Sequence, residues 1–175
     1  EKLPHRAFVF TSNVDGQFQK AGFDESRIVE CHGSIHHLQC CTPCSASIWP
    51  ADKLSVEVDE ENCFLTSPLP VCPECHGMSR PNILMFNDWG WISNRTELQM
   101  ERLHKWYRQT NHLVVIEMGA GVHVPTVRRA SESFNAPIIR INPDYPEVPK
   151  SSDIGLAMGA LDALRLIEAQ LEKTA

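Results

Sequence analysis

The chain has 175 residues, 42% of them hydrophobic, and a formal charge of −6. That is enough to bury a real core as one domain, or one with a small insert. The acidic balance argues against non-specific binding to nucleic acid or acidic membranes. No apolar run long enough to span a bilayer and no signal-peptide pattern is found, so a soluble, cytoplasmic protein is expected.

The opening apolar run Ala7, Phe8, Val9, Phe10 is that of a strand buried on both faces. It ends in Ser12, Asn13 and Asp15, polar residues at the end of a strand where open parallel α/β sheets bind ligands. The alternative is a solvated turn in which Asn13 and Asp15 bond only their own backbone. The chain starts at Glu1, without an initiator Met, directly before this strand, so a further upstream segment is expected. "DGQFQKAG" predicts a short helix ended by Gly22, and "RIVECHG" a second apolar run ending in His32 and Gly33.

Seven cysteines, an odd number in tight groups, suit metal ligation in a reducing compartment better than a disulfide framework. "CCTPC" (Cys40, Cys41, Cys44) and "CPEC" (Cys72, Cys75) have the form of a four-thiolate zinc ribbon whose two knuckles each supply two ligands. Spacing alone does not choose between Cys40 and Cys41. Cys31 and Cys63 read as ordinary buried thiols.

"RPNILMFND" suits an edge strand or extended loop because Pro81 stands near its start. Trp89 and Trp91 in "WGWISNR" are expected to be partly buried. "TELQMERLHKWYRQT" predicts a helix with Thr96 and Gln99 as a capping box and Met100, Leu103, Trp106 and Tyr107 on one face. "HLVVIEMGAG" reads as a buried strand running into a glycine turn, "VPTVRRASESF" as a helix with Pro125 near its first position, and "PIIRIN" as another buried strand. The closing "GALDALRLIEAQLEK" is amphipathic. The alternation predicts an α/β fold, a doubly wound Rossmann-like parallel sheet with a small inserted zinc-ribbon lobe. Residues 1–37 and 79–175 form the Rossmann-like part, and 38–78 the lobe.

"TSNVDGQFQKAG", "ECHGS", the two cysteine pairs, "RPNILMFND", "GAG" after a strand and "IN" resemble, in order, the motifs of sirtuins, the NAD-dependent protein lysine deacylases. The resemblance covers nearly the whole chain. It implies NAD as cofactor, a structural zinc ion, and acylated lysine side chains of proteins as substrate, with no specific nucleic acid or membrane partner. It also implies a strand and a glycine-rich pyrophosphate loop ahead of Glu1.

By this resemblance His32 is the general base, and Asn13 acts with it, holding the nicotinamide ribose and a water. Asp15 binds the nicotinamide carboxamide, and Ser12 is also at the cofactor. Gly119, Ala120, Gly121 and Asn142 face the adenosine half, with Met158 near the adenine. Ile83 and Leu84 line the acyl-lysine tunnel, and the segment through Phe86 pairs with substrate backbone. The acyl oxygen attacks the anomeric carbon of NAD, nicotinamide leaves, and the histidine then deprotonates a ribose hydroxyl. Products are nicotinamide and O-acyl-ADP-ribose.

Three positions depart from the family pattern: Ser12 replaces a Gln, "FND" at 86–88 replaces Phe-Gly-Glu, and "GAG" replaces a Gly-Thr-Ser or Gly-Ser-Ser turn. Two other classes remain open. One is an NAD glycohydrolase or ADP-ribosyltransferase, which activates the same glycosidic bond; the other is a catalytically inactive zinc-containing binding module.

Overall fold

A computed structural model describes residues 7–174. The chain divides into two compact units, with the boundary between Gln109 and Thr110.

In the first unit, β1 (Val9–Thr11) and β2 (Ile28–Glu30) pair in parallel, Val9 beside Ile28 and Thr11 beside Glu30. Ile28 and Val29 are completely buried, as their apolar run requires. The crossover between them holds α1 (Gln17–Lys20) and a 3-10 turn at Glu25–Arg27. Asp24 caps that turn, its carboxylate accepting from the Ser26 N–H at 2.9 Å.

An antiparallel sheet follows, in the order β4 (Ile48–Pro50), β3 (Gly33–Cys40), β7 (Ser79–Ile83), with a two-stranded hairpin of β5 (Val58–Asp59) and β6 (Phe64–Leu65). Pro81 thus sits on an edge strand, where a missing N–H is tolerated. Gly33 has φ +82, and a Cβ there would lie 1.9 Å from the Asn82 carbonyl oxygen. Only glycine lets β3 and β7 close to this distance. Further along the pair, Gln39 Oε1 accepts from Asn82 Nδ2 at 2.8 Å and from the Ile92 N–H at 3.0 Å. This buried amide pair ties the 90–92 loop to the sheet.

Helix α2 (Asn94–Arg108) begins two residues before the expected capping box. Thr96 and Gln99 do not cap it; both are buried against β2, Thr96 Oγ1 donating to the Glu30 carbonyl at 3.1 Å and Gln99 Oε1 accepting from the Glu30 N–H at 3.0 Å. Leu103 is buried on the same helix, and the Trp106 ring packs against Phe8 at a tilt of 49°, centroids 5.4 Å apart.

The second unit is a parallel sheet in the order β10 (Ile154–Leu156), β9 (Ile138–Ile141), β8 (Val115–Met118), with α3 (Thr126–Ser133) and α4 (Ala160–Thr174). The expectation of a wholly buried β8 fails: Ile116 and Met118 are exposed and Glu117 is buried. Glu117 is there because Arg140 on β9 meets it at 2.5 and 3.0 Å, while Glu132 on α3 adds a second carboxylate to Arg140 at 2.8 Å. A charge that is paired and fully hydrogen-bonded is tolerated inside. The architecture is therefore the expected one: parallel strands with crossover helices plus a cysteine-bearing lobe.

Candidate functional site

Where a parallel strand ends, its neighbour ends beside it, so the register places the first group of predicted residues. The last registered pair of β1 and β2 is Thr11 with Glu30, and the Cys31 N–H donates to the Thr11 carbonyl at 2.9 Å. Asn13 and His32 each lie two residues beyond that pair, at the carboxyl edge of the sheet, Asn13 exposed and His32 half-buried. The Ile35 N–H donates to the Val14 carbonyl at 3.0 Å, tying the turn after β1 to β3. Asp15 Oδ1 accepts from the Gln17 N–H at 3.2 Å just ahead of α1, so part of the local-turn reading of this segment holds.

Ile83 and Leu84 reach the same place. Gly33 pairs with Ile83, and the His32 carbonyl accepts from the Leu84 N–H at 3.0 Å. Beyond Leu84 the chain turns at Asn87, with φ +58. Arg80 holds this turn through Asp88, with nitrogen to oxygen 2.8 Å, and Asp88 Oδ1 also accepts from the Gly90 N–H at 3.1 Å. Burial raises the Asp88 pKa, but the Arg80 hydrogen bond and backbone N–H groups outweigh it, and the net shift is down. The turn leaves Phe86 85% and Trp89 97% exposed, so the expected partial burial of Trp89 is wrong; Trp91 is half-buried.

In the second unit Gly119, Asn142 and Met158 follow the ends of β8, β9 and β10, three adjacent parallel strands. Gly119 takes φ +65, and nothing lies within 4 Å of a Cβ built there or at Gly121, so the backbone of this turn is open to approach. Asn142 is buried and bonded at both ends of its amide: Nδ2 donates to the Ala120 carbonyl at 3.1 Å, and Oδ1 accepts from the Asp144 and Tyr145 N–H groups at 3.0 Å. Arg128 on α3 donates from Nε to the same Ala120 carbonyl at 3.1 Å and from Nη2 to the Tyr145 carbonyl.

The cysteines resolve the choice left open by spacing. Cys40, Cys44, Cys72 and Cys75 place their sulfurs within 4.8 Å of one another, and Cys41 is not among them. Cys40 to Cys75 and Cys44 to Cys72 are both 3.7 Å. A tetrahedral zinc ion with Zn–S bonds of about 2.3 Å has sulfur atoms about 3.8 Å apart, so this cluster fits one. Backbone N–H donation from Cys75, ahead of that from Glu74, pulls the Cys72 thiol down to about 7 despite desolvation, while the hydrogen bond with Cys75 pushes Cys44 up to about 12 and desolvation raises Cys40, so without a cation the four sulfurs do not all ionise together. Cys63, expected to be buried, is exposed with φ +56 on the turn between β5 and β6, and Cys31 is half-buried.

The model of the Sir2 family matches residues 1–125, and the chain belongs to that family. It is 25% identical over 175 residues to an NAD-dependent protein deacylase of Aquifex aeolicus, covering 95% of this chain and 62% of the relative. Identity to an NAD-dependent protein deacylase 2 of Pseudomonas syringae pv. tomato is 28% over 165 residues, 89% of this chain and 58% of that one. A crystal structure of a Sir2 homologue in complex with NAD superposes with a TM-score of 0.62 at 21% identity, covering 95% of this chain and 59% of that one, which supports the fold. The chain therefore spans about three fifths of the length of these relatives.

Proposed function

We infer that the protein is an NAD-dependent protein lysine deacylase. What supports this reading is that Asn13 and His32 each follow the end of one of two paired parallel strands, and that the Leu84 N–H donates to the His32 carbonyl. NAD supplies an electrophilic anomeric carbon and a nicotinamide leaving group. Within the second unit, the open turn at Gly119–Gly121, whose Ala120 carbonyl is held by Asn142, suits close approach of a ribose or phosphate to the backbone.

His32 takes the general-base role, accepting a proton at a ring nitrogen. Asn13, with both an amide donor and a carbonyl acceptor, orients the ribose and a water. Asp15 receives the nicotinamide amide, and Ser12 adds a hydroxyl. Ile83 and Leu84 give the acyl-lysine chain an apolar wall, and the peptide backbone adds along the segment through Phe86. Met158 packs near the adenine. Cys40, Cys44, Cys72 and Cys75 hold a structural zinc ion; four thiolates leave no open position for catalysis.

The test is nicotinamide release with NAD and an acetyl-lysine peptide. Deacylation predicts release that requires the peptide and equals the deacetylated product mole for mole. Release without peptide supports NAD cleavage or ADP-ribose transfer, and no release from folded protein restored at its N-terminus supports a binding module; the isolated 175 residues need not be active on their own.

A further inference from the structure

A cleft of about 940 Å³ opens in the first unit between α1, the 3-10 turn, β3, β4 and α2. None of the residues assigned above lines it. Lys20, Arg95 and Arg102 do, with His36 and His37, against one lining carboxylate, Glu25. In a chain of formal charge −6, three cations and two imidazoles on one concave surface stand out.

Two of these side chains hold unspent polar atoms. Arg95 Nη2 pairs with Glu30, yet Arg95 Nη1 is buried without a hydrogen-bond partner. His37 Nδ1 is also buried without one. Leaving a buried polar group unpaired costs about 1–3 kcal/mol, so Arg95 Nη1, and His37 in its Nδ1–H tautomer, gain from a ligand acceptor that enters the cleft and reaches them. Ile48 and Leu98 supply an apolar wall beside them. We propose that this cleft binds a small organic phosphomonoester, its phosphate taken by Arg95 and His37 with Lys20 and Arg102 around it, and its carbon part lying on Ile48 and Leu98.

The chemistry matches. With Nη2 held by Glu30, Arg95 offers Nη1 as a charge-assisted donor to one phosphate oxygen, and a phosphate dianion draws a proton onto an adjacent imidazole. Burial, then Arg95, hold the His37 pKa below its ordinary range, with His36 adding to this and Glu30 and Glu25 opposing it. A bound dianion reverses that balance.

The experiment follows the His37 imidazole resonances of isotope-labelled protein, assigned with His37→Gln, during titration at constant ionic strength. The probes are phenyl phosphate, inorganic phosphate and sodium chloride. Phenyl phosphate should shift His37 saturably with a dissociation constant of about 1 mM or below, with inorganic phosphate about tenfold weaker. Arg102→Gln, on an exposed stretch of α2, and Arg95→Lys, which keeps the charge facing Glu30 but loses the fork, should each weaken binding several-fold. The proposal is overturned if His37 responds to neither phosphate, as when Arg95 Nη1 simply closes onto the unpartnered Glu30 Oε1, or if chloride moves it equally. Inorganic phosphate binding as tightly as phenyl phosphate refutes the organic part. None of these readings depends on deacylase activity, so the two proposals fail separately.

Discussion

Gly33→Ala is the sharpest perturbation of the frame that holds His32. At φ +82 an L-residue pays about 1–2 kcal/mol for the left-handed conformation alone. Its Cβ would also sit 1.9 Å from the Asn82 carbonyl oxygen and 3.1 Å from the Ile83 Cα, both backbone atoms that no rotamer change relieves. β3 must therefore draw away from β7 at the Gly33 and Ile83 pair, and the neighbouring bond from the Leu84 N–H to the His32 carbonyl stretches or breaks. Losing one or two such bonds adds about 0.5–1.5 kcal/mol each, giving a total of about 3 kcal/mol. Gly22→Ala is the control: φ is +85, but nothing lies within 4 Å, so only the conformational cost of about 1–2 kcal/mol applies. Urea titration of both variants, with unchanged m-values, measures the difference. Equal midpoints for the two refute the close approach of β3 and β7 as the reason for Gly33.

Purified, reduced protein should contain one zinc per chain by elemental analysis; Cys72→Ser should lose it, whereas Cys41→Ser should retain it because Cys41 lies outside the cluster. Glu117→Gln leaves Arg140 buried with only Glu132 as an acidic partner, and should cost about 3 kcal/mol in chemical denaturation. Asp88→Asn should loosen the 85–90 turn and raise KM for the acyl-peptide more than it lowers kcat. The depressed pKa of Asp88 means its stabilisation is present above the unfolded carboxyl pKa and is lost as pH falls through the folded value, so order in this turn, followed by Trp89 fluorescence, should fade only in acid. Trp89→Ala removes a side chain that is 97% exposed and should change stability by less than about 0.5 kcal/mol.

The parallel strands, the crossover helices and the ends of β1, β2, β8 and β9 were legible because each is a local signal: an apolar run stopped by polar residues or glycine. Cysteine spacing gave the metal lobe for the same reason. The choice of Cys40 over Cys41 was not legible, because it depends on which side of β3 faces Cys75, a distance set by long-range pairing. Thr96 and Gln99 looked like a helix cap because a local motif can serve a tertiary contact equally well, here with the backbone of Glu30. Glu117 inside an apolar strand had no local explanation, since its partner Arg140 lies 23 residues away. Trp89 was misjudged on composition: aromatic residues are buried on average, but Asp88 and Arg80 fix a turn that points outward.

His32 carries the central claim, and His32→Ala tests it when deacylation and labelled-nicotinamide exchange into NAD are measured side by side on the same peptide, with circular dichroism to establish folding. The account predicts that deacylated product falls about 10²–10⁴-fold, the loss expected for a positioned general base. Some peptide-dependent exchange should survive, because exchange precedes the step His32 serves. A folded His32→Ala protein with near-normal deacylation would contradict it and leave His32 a residue that only shapes the end of β2.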